Sequence, residues 1–249
     1  MGDLCMKLYY SFKVSYVLLF SSLGISLFAV CCIFGAMHAA TVASAAPQTM
    51  TIVLDAGHGG EDGGAVGVEG RLEKDINLSI ALNIRDMLSD AGCVVKMIRD
   101  SDVSVGDSSL NSVAERKRSD IHKRVSIVNE TENCILISIH QNYFAESQYN
   151  GAQMFYSDND SNSQFLAESI RKCIQSELQP ENHRENKTAD GIYLLEHVSV
   201  PAVIVECGFI SNPDEAAMLA DPEYQRLMAA AITHGIIQYC GMHQESSGV

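Results

Sequence analysis

Four side chains in this 249-residue chain stand where a metal-assisted hydrolysis could be built. His58 lies in a glycine-rich stretch just after the apolar run 51–55, and Glu73 comes at the end of that stretch. His140 closes the apolar run 134–139, and Glu206 lies near the end of the run 202–207. Two imidazoles and one carboxylate from separate elements make a three-ligand zinc set with one coordination position left for water, the arrangement of hydrolytic zinc enzymes. The other carboxylate, Glu206, is then free to act as a base. Taken singly, each also reads as ordinary strand-end hydrogen bonding; their shared placement makes them a set. Competing motifs fail: there is no HExxH, and Glu196-His197 has Tyr193 where the inverted zinc motif needs a histidine. There is no GxSxG elbow, and the glycines after Asp55 lack the Lys-Ser/Thr ending of a phosphate loop.

The elements that must position these residues alternate between short β-type runs and amphipathic helices, which predicts one α/β domain. Its sheet is expected to be twisted and mostly parallel with helices on both faces, and its active site to sit at the carboxyl ends of the strands. Strands are expected over 51–55, 94–98, 134–139, 152–156 and 202–207, with an edge strand over 192–195. A helix from about Asp75 carries Ile76, Ile80, Ile84 and Leu88 on one face and ends at Gly92. The stretch between the second strand and Ser119 reads as surface loop and helix start, and Ile121, Val125 and Val128 mark one face of the next helix. A helix over 163–178 is expected to turn Phe165, Ile170 and Ile174 inward. A short helix from Asp214 and a long one over 222–239 follow. His122, His183, His197, His234 and His243 belong to no cluster and read as surface groups.

Residues 1–46 read as an export signal or membrane anchor: Lys7 and Lys13 precede an uncharged run over 14–37, and Ala43-Ser44-Ala45 is a small-residue stretch of the kind a signal peptidase cuts. Positive charge ahead of the run places the rest of the chain outside the cytoplasm. A catalytic domain over 47–241 and a short tail over 242–249 complete the division. The net charge of −14 argues against nucleic acid as a partner. Beyond residue 46 the five cysteines, Cys93, Cys134, Cys173, Cys207 and Cys240, are odd in number and widely spaced, so no disulfide framework is indicated. Cys134 and Cys207 read as buried thiols.

Four blocks in order resemble the signature blocks of the zinc-dependent N-acetylmuramoyl-L-alanine amidases: Leu54 to Gly60 (LDAGHGG), Glu73-Lys74-Asp75, Ser138 to Asn142 (SIHQN) and Val205 to Asn212 (VECGFISN). The resemblance runs from Thr51 to Tyr239. It implies that His58, Glu73 and His140 bind zinc and that Glu206 is the catalytic carboxylate. Asp55 and Asn142 are expected as supports that orient a histidine or the substrate. Family members often carry a basic residue near Glu196, so a substrate contact there is not carried over. The implied reaction cleaves the amide between N-acetylmuramic acid and L-alanine in peptidoglycan, at the cell wall or the outer face of the membrane. The layout, an export segment and a catalytic domain with no wall-binding repeat, resembles the spore-cortex amidases and implies a need for an activating protein partner. A general wall-turnover autolysin, a zinc carboxypeptidase and a non-hydrolytic peptidoglycan-binding module are the alternatives.

Overall fold

The computed structural model describes residues 50–247, with side chains described as far as residue 242; the export segment expected over 1–46 lies outside the described residues. Among the described residues no helix is long and apolar enough to cross a membrane. In chain order the elements are β1 (Thr51–Ala56), α1 (Glu73–Asp90), β2 (Val94–Met97), α2 (Val113–Asn129), β3 (Cys134–Asn142), β4 (Gln153–Tyr156), α3 (Asn162–Glu177), β5 (Lys187–Thr188), α4 (Tyr193–His197), β6 (Ala202–Phe209), α5 (Pro213–Leu219) and α6 (Pro222–Ser247).

These strands form one sheet in the order β2-β1-β3-β6-β4-β5. The first four run parallel, β4 is antiparallel to β6, and β5 is parallel to β4. The expected mostly parallel α/β domain is therefore what forms. Alternation along each strand divides the core between the two faces. Ile52, Leu54, Ile135, Ile137, Ile139, Val203 and Val205 pack with Ile80, Ile84, Ile170 and Ile232 from α1, α3 and α6. Val53, Leu136, Ala202 and Ile204 pack with Val128 of α2 and Leu194 and Leu195 of α4 on the opposite face. Fully burying one such aliphatic side chain contributes about 1.5–3 kcal/mol. This second, smaller core stops short of the strand ends, and the register carries His140 and Glu206 out just beyond it, directly opposite each other on β3 and β6.

Several local expectations are corrected. The run 192–195 is not an edge strand: Tyr193–His197 is a helical turn burying Leu194 and Leu195, and the edge strand is Lys187–Thr188. A four-residue apolar run has no periodicity to separate a strand from a buried turn of helix. Phe165 points outward at 63% exposure, because the inward face of α3 is set by Leu166, Ile170 and Ile174 at four-residue spacing. Helix α2 begins at Val113, well before Ser119, behind a capping box in which Ser112 accepts from Glu115 N–H and the Glu115 carboxylate accepts from Ser112 N–H. Helix α1 begins at Glu73, so that residue lies in the helix and not ahead of it. Helix α6 continues to Ser247. Cys134 and Cys207 are buried as expected, and His122, His183, His197 and His234 are exposed; the His243 side chain is outside the described residues.

Candidate active site

The loop from β1 to α1 folds back over the carboxyl ends of β1 and β3. There His58 takes a left-handed backbone conformation (φ 62°), uncommon for a residue with a Cβ and held only by strong local restraint. The restraint comes from two buried arginines. Arg124 of α2 donates to the carbonyls of Ala56 (3.1 Å) and His58 (2.7 Å), and pairs with Asp55 and Asp120. Arg99 donates to the carbonyls of Ala56 (2.7 Å), Gly57 (2.9 Å) and Lys74 (2.9 Å). Expected to orient a histidine or the substrate, Asp55 bonds directly to Arg124 and to Ser138, whose hydroxyl donates to it at 2.6 Å, and reaches His58 through Arg124, which holds the His58 carbonyl. Asn142 contributes its backbone carbonyl, which accepts from Ile210 N–H. Glu196 accepts from Gly191 N–H.

Three of the four expected site residues converge: one donor atom each from His58, Glu73 and His140 lie within 4.8 Å of one another, a group able to hold a metal ion. Glu73 reaches the cluster from the first turn of α1. Its Oε2 accepts from Ala65 N–H (2.9 Å), and its Oε1 from Gln141 N–H (3.1 Å) and Asn77 Nδ2 (3.3 Å). Burial opposes its charge, but bonds to His140 (3.0 Å) and His58 (3.2 Å) outweigh that and hold its carboxyl well below the usual range. Close approach requires glycine twice. A Cβ on Gly57 would sit 2.2 Å from His140 Nε2, and one on Gly64 would sit 2.6 Å from Glu73 Oε2, at a φ of +69°.

Sequence reasoning missed Asp62, four residues after His58 in the same loop. Its carboxylate can only accept, so His58 Nδ1 donates to it at 2.8 Å, which aims the other ring nitrogen at Glu73. Burial disfavours the imidazolium, yet Asp62 and Glu73 together raise His58 to about 9. A histidine followed within one turn by an aspartate was the available signal. Arg124 and Asn77 were also missed, because a polar residue on an otherwise apolar helix face is only recognised once its partner is known.

Glu206 stands apart from the cluster, and its buried Oε2 has no hydrogen-bond partner among the described residues. Burial pushes its carboxyl up to about 7; the charges of His140 and His58 oppose this in part and that of Glu73 adds to it. A cavity of about 170 Å³ opens beside His58 and His140, lined also by Asp120, Arg124, Ile192, Tyr193 and Leu194.

Residues 52–238 match the model of the N-acetylmuramoyl-L-alanine amidase family. The germination-specific N-acetylmuramoyl-L-alanine amidase of Bacillus subtilis is 38% identical over 192 residues, covering 76% of this chain and 78% of that protein. The CwlD amidase of Clostridioides difficile, solved in complex with the GerS lipoprotein, superimposes with a TM-score of 0.75 at 36% identity, over 78% of this chain and 99% of that one. The amidase AmiC2 of Nostoc punctiforme gives a TM-score of 0.64 at 31% identity, over 77% and 97%. With these likenesses spanning the whole sheet and all four blocks that meet at its carboxyl end, the chain belongs to the N-acetylmuramoyl-L-alanine amidase family.

Proposed function

We propose that the chain is a zinc hydrolase of the spore cortex that cuts the amide between N-acetylmuramic acid and L-alanine. In this reading His58, Glu73 and His140 hold the metal and Glu206 is the catalytic base. The observation that carries it is the meeting of two imidazoles and a carboxylate opposite a buried carboxylate with an unsatisfied oxygen. Two nitrogens and one oxygen suit zinc and leave a position open. When bound, zinc supplies Lewis acidity toward water and toward the amide carbonyl. Glu206, whose carboxyl burial pushes up to about 7, takes the proton of the attacking water and delivers one to the departing nitrogen of L-alanine. Asp62 fixes the tautomer and aim of His58; Asn77 and the Ala65 and Gln141 amides fix Glu73.

The cortex assignment rests on likeness to the germination-specific amidase and to CwlD, and the lipoprotein bound to CwlD supports an activating protein partner for this chain also. Action outside the cytoplasm is part of this reading, supported by the same relatives; we assign residues 1–46 to export, ahead of a catalytic domain over 47–241 and a short tail over 242–249. The test is mass analysis of peptidoglycan digested by the purified chain with zinc. An amidase frees whole stem peptides and leaves bare glycan. Removal of a terminal residue only would make it a carboxypeptidase, and no release would favour a binding module.

Two expected outcomes concern His58. Without metal it holds its proton up to about pH 9, so zinc binding at pH 7 must displace it. Calorimetric titration with zinc in buffers of different ionisation enthalpy is expected to give about one proton released per ion from this residue, and affinity that weakens as pH falls. A buffer-independent heat would contradict the ligand role. Asp62→Asn keeps the shape but loses the charge behind Nδ1, so zinc affinity is expected to fall about 10- to 100-fold in competition with a chelator; wild-type affinity would remove Asp62 from the site.

A further inference from the structure

The carboxyl-terminal rim of the sheet carries a second polar group that the steps above do not use. β4 sets Gln153 opposite Glu206, so the two side chains share a face. Gln153 is buried; its Oε1 accepts from Arg184 Nη1 at 3.2 Å. Arg184 Nε donates to the carbonyl of Asn150 at 2.7 Å, and its guanidinium carbon lies 4.7 Å from the centre of the Phe209 ring and 5.9 Å from that of Tyr149. Phe209 is fully buried and Tyr149 is exposed, their ring centres 6.2 Å apart. The guanidinium is thus fixed over an aromatic floor while its Nη2 has no acceptor among the described residues. The carboxylate whose field it reaches, Glu215, is committed to Gly151 N–H and Phe209 N–H. Most other arginines around the site are spent: Arg124 and Arg116 on carboxylates, Arg99 on carbonyls.

We propose that Arg184 binds a carboxylate of the stem peptide and so determines which stems are cut, an inference that rests on the amidase reading. In intact peptidoglycan the lactyl carboxyl is tied up in the amide to be cleaved, so a fixed cation beside the site faces the peptide, where free carboxylates are. A bulge on β6 sets Phe209 opposite Asn142, two residues beyond His140, so Phe209 stands roughly 7 Å past Glu206 at about 3.3 Å per residue. An extended peptide advances at the same rate, so Arg184 meets the second or third residue of the stem. A planar guanidinium presents the fork that a carboxylate accepts with two parallel bonds.

The test compares two substrates for the full chain in mild detergent with zinc: a muramyl peptide with free carboxylates on its second and third residues, and the same peptide with carboxamides there. Wild type is expected to prefer the carboxylate form about 10- to 100-fold in kcat/KM, through KM, the effect of a hydrogen bond to a charged group. In Arg184→Gln the ratio falls toward one; in Arg184→Lys part of it returns. Zinc content and melting temperature of each variant separate this from a loss of folding. Titrating both peptides into Glu206→Gln gives the same comparison by affinity, with Arg184 in place. Equal handling of the two peptides by wild type, or a preference that survives in Arg184→Gln, overturns the proposal. Failure of wild type to release either stem overturns the amidase reading instead.

Discussion

Glu206→Gln is expected to keep about one zinc ion per chain while stem-peptide release falls about 100- to 10,000-fold, the usual cost of losing a general base. The substitution keeps the shape of a side chain that stands outside the three-residue cluster, so the metal set is untouched. His140→Ala is expected to lose zinc and hydrolysis together, since two remaining ligands hold the ion poorly. It also removes the imidazole 3.0 Å from Glu73. Metal analysis beside the rate decides between the roles. A zinc-free Glu206→Gln, or a fully loaded and merely slow Glu73→Gln, would mean that the two glutamates are exchanged.

The second large effect is on stability. Arg124 is 3% exposed and pairs with Asp55, itself 1% exposed, and with Asp120, while its guanidinium also holds the carbonyls on either side of Gly57. Arg124→Met leaves Asp55 as a buried carboxylate without its cation, a loss of about 3–5 kcal/mol. For a domain of about 200 residues, at about 2–4 °C per kcal/mol, the melting temperature of the zinc-free protein should fall by about 6–20 °C. The pH dependence carries a sign. Burial raises the Asp55 pKa, but Arg124, Ser138 and His140 outweigh it and bring the folded value below 3.8. Its ionised form therefore contributes stability that is present above the unfolded pKa and lost as pH falls through the folded one. Without Arg124 burial dominates and the shift reverses, so the gap between variant and wild type should be widest near neutral pH and narrow as Asp55 protonates. Denaturant unfolding at several pH values measures this; a loss under 1 kcal/mol at pH 7 would show that the pair is not what anchors the loop.

The alternation of apolar runs with helical spacing, the glycines of the first loop and the histidines at strand ends were legible in the sequence, because each is local: periods of two and of about four residues, and short blocks such as LDAGHGG. They were enough for the mostly parallel sheet apart from its edge strand, and for the family. What sequence could not supply was decided by contacts between residues far apart in the chain. Arg124 meets Asp55 across 69 positions, Arg99 meets Gly57 across 42, and Arg184 meets Gln153 across 31. The same limit explains the short turn at Tyr193–His197 and the outward Phe165, where a few apolar residues fit either of two environments until the neighbouring face is in place. A candidate ligand can be read from its residue type and its place near a strand end. The residue that aims it, neutralises it or holds its backbone in a left-handed conformation is identified only by distance, since hydrogen bonds and ion pairs act within about 3–4 Å and leave no period in the sequence.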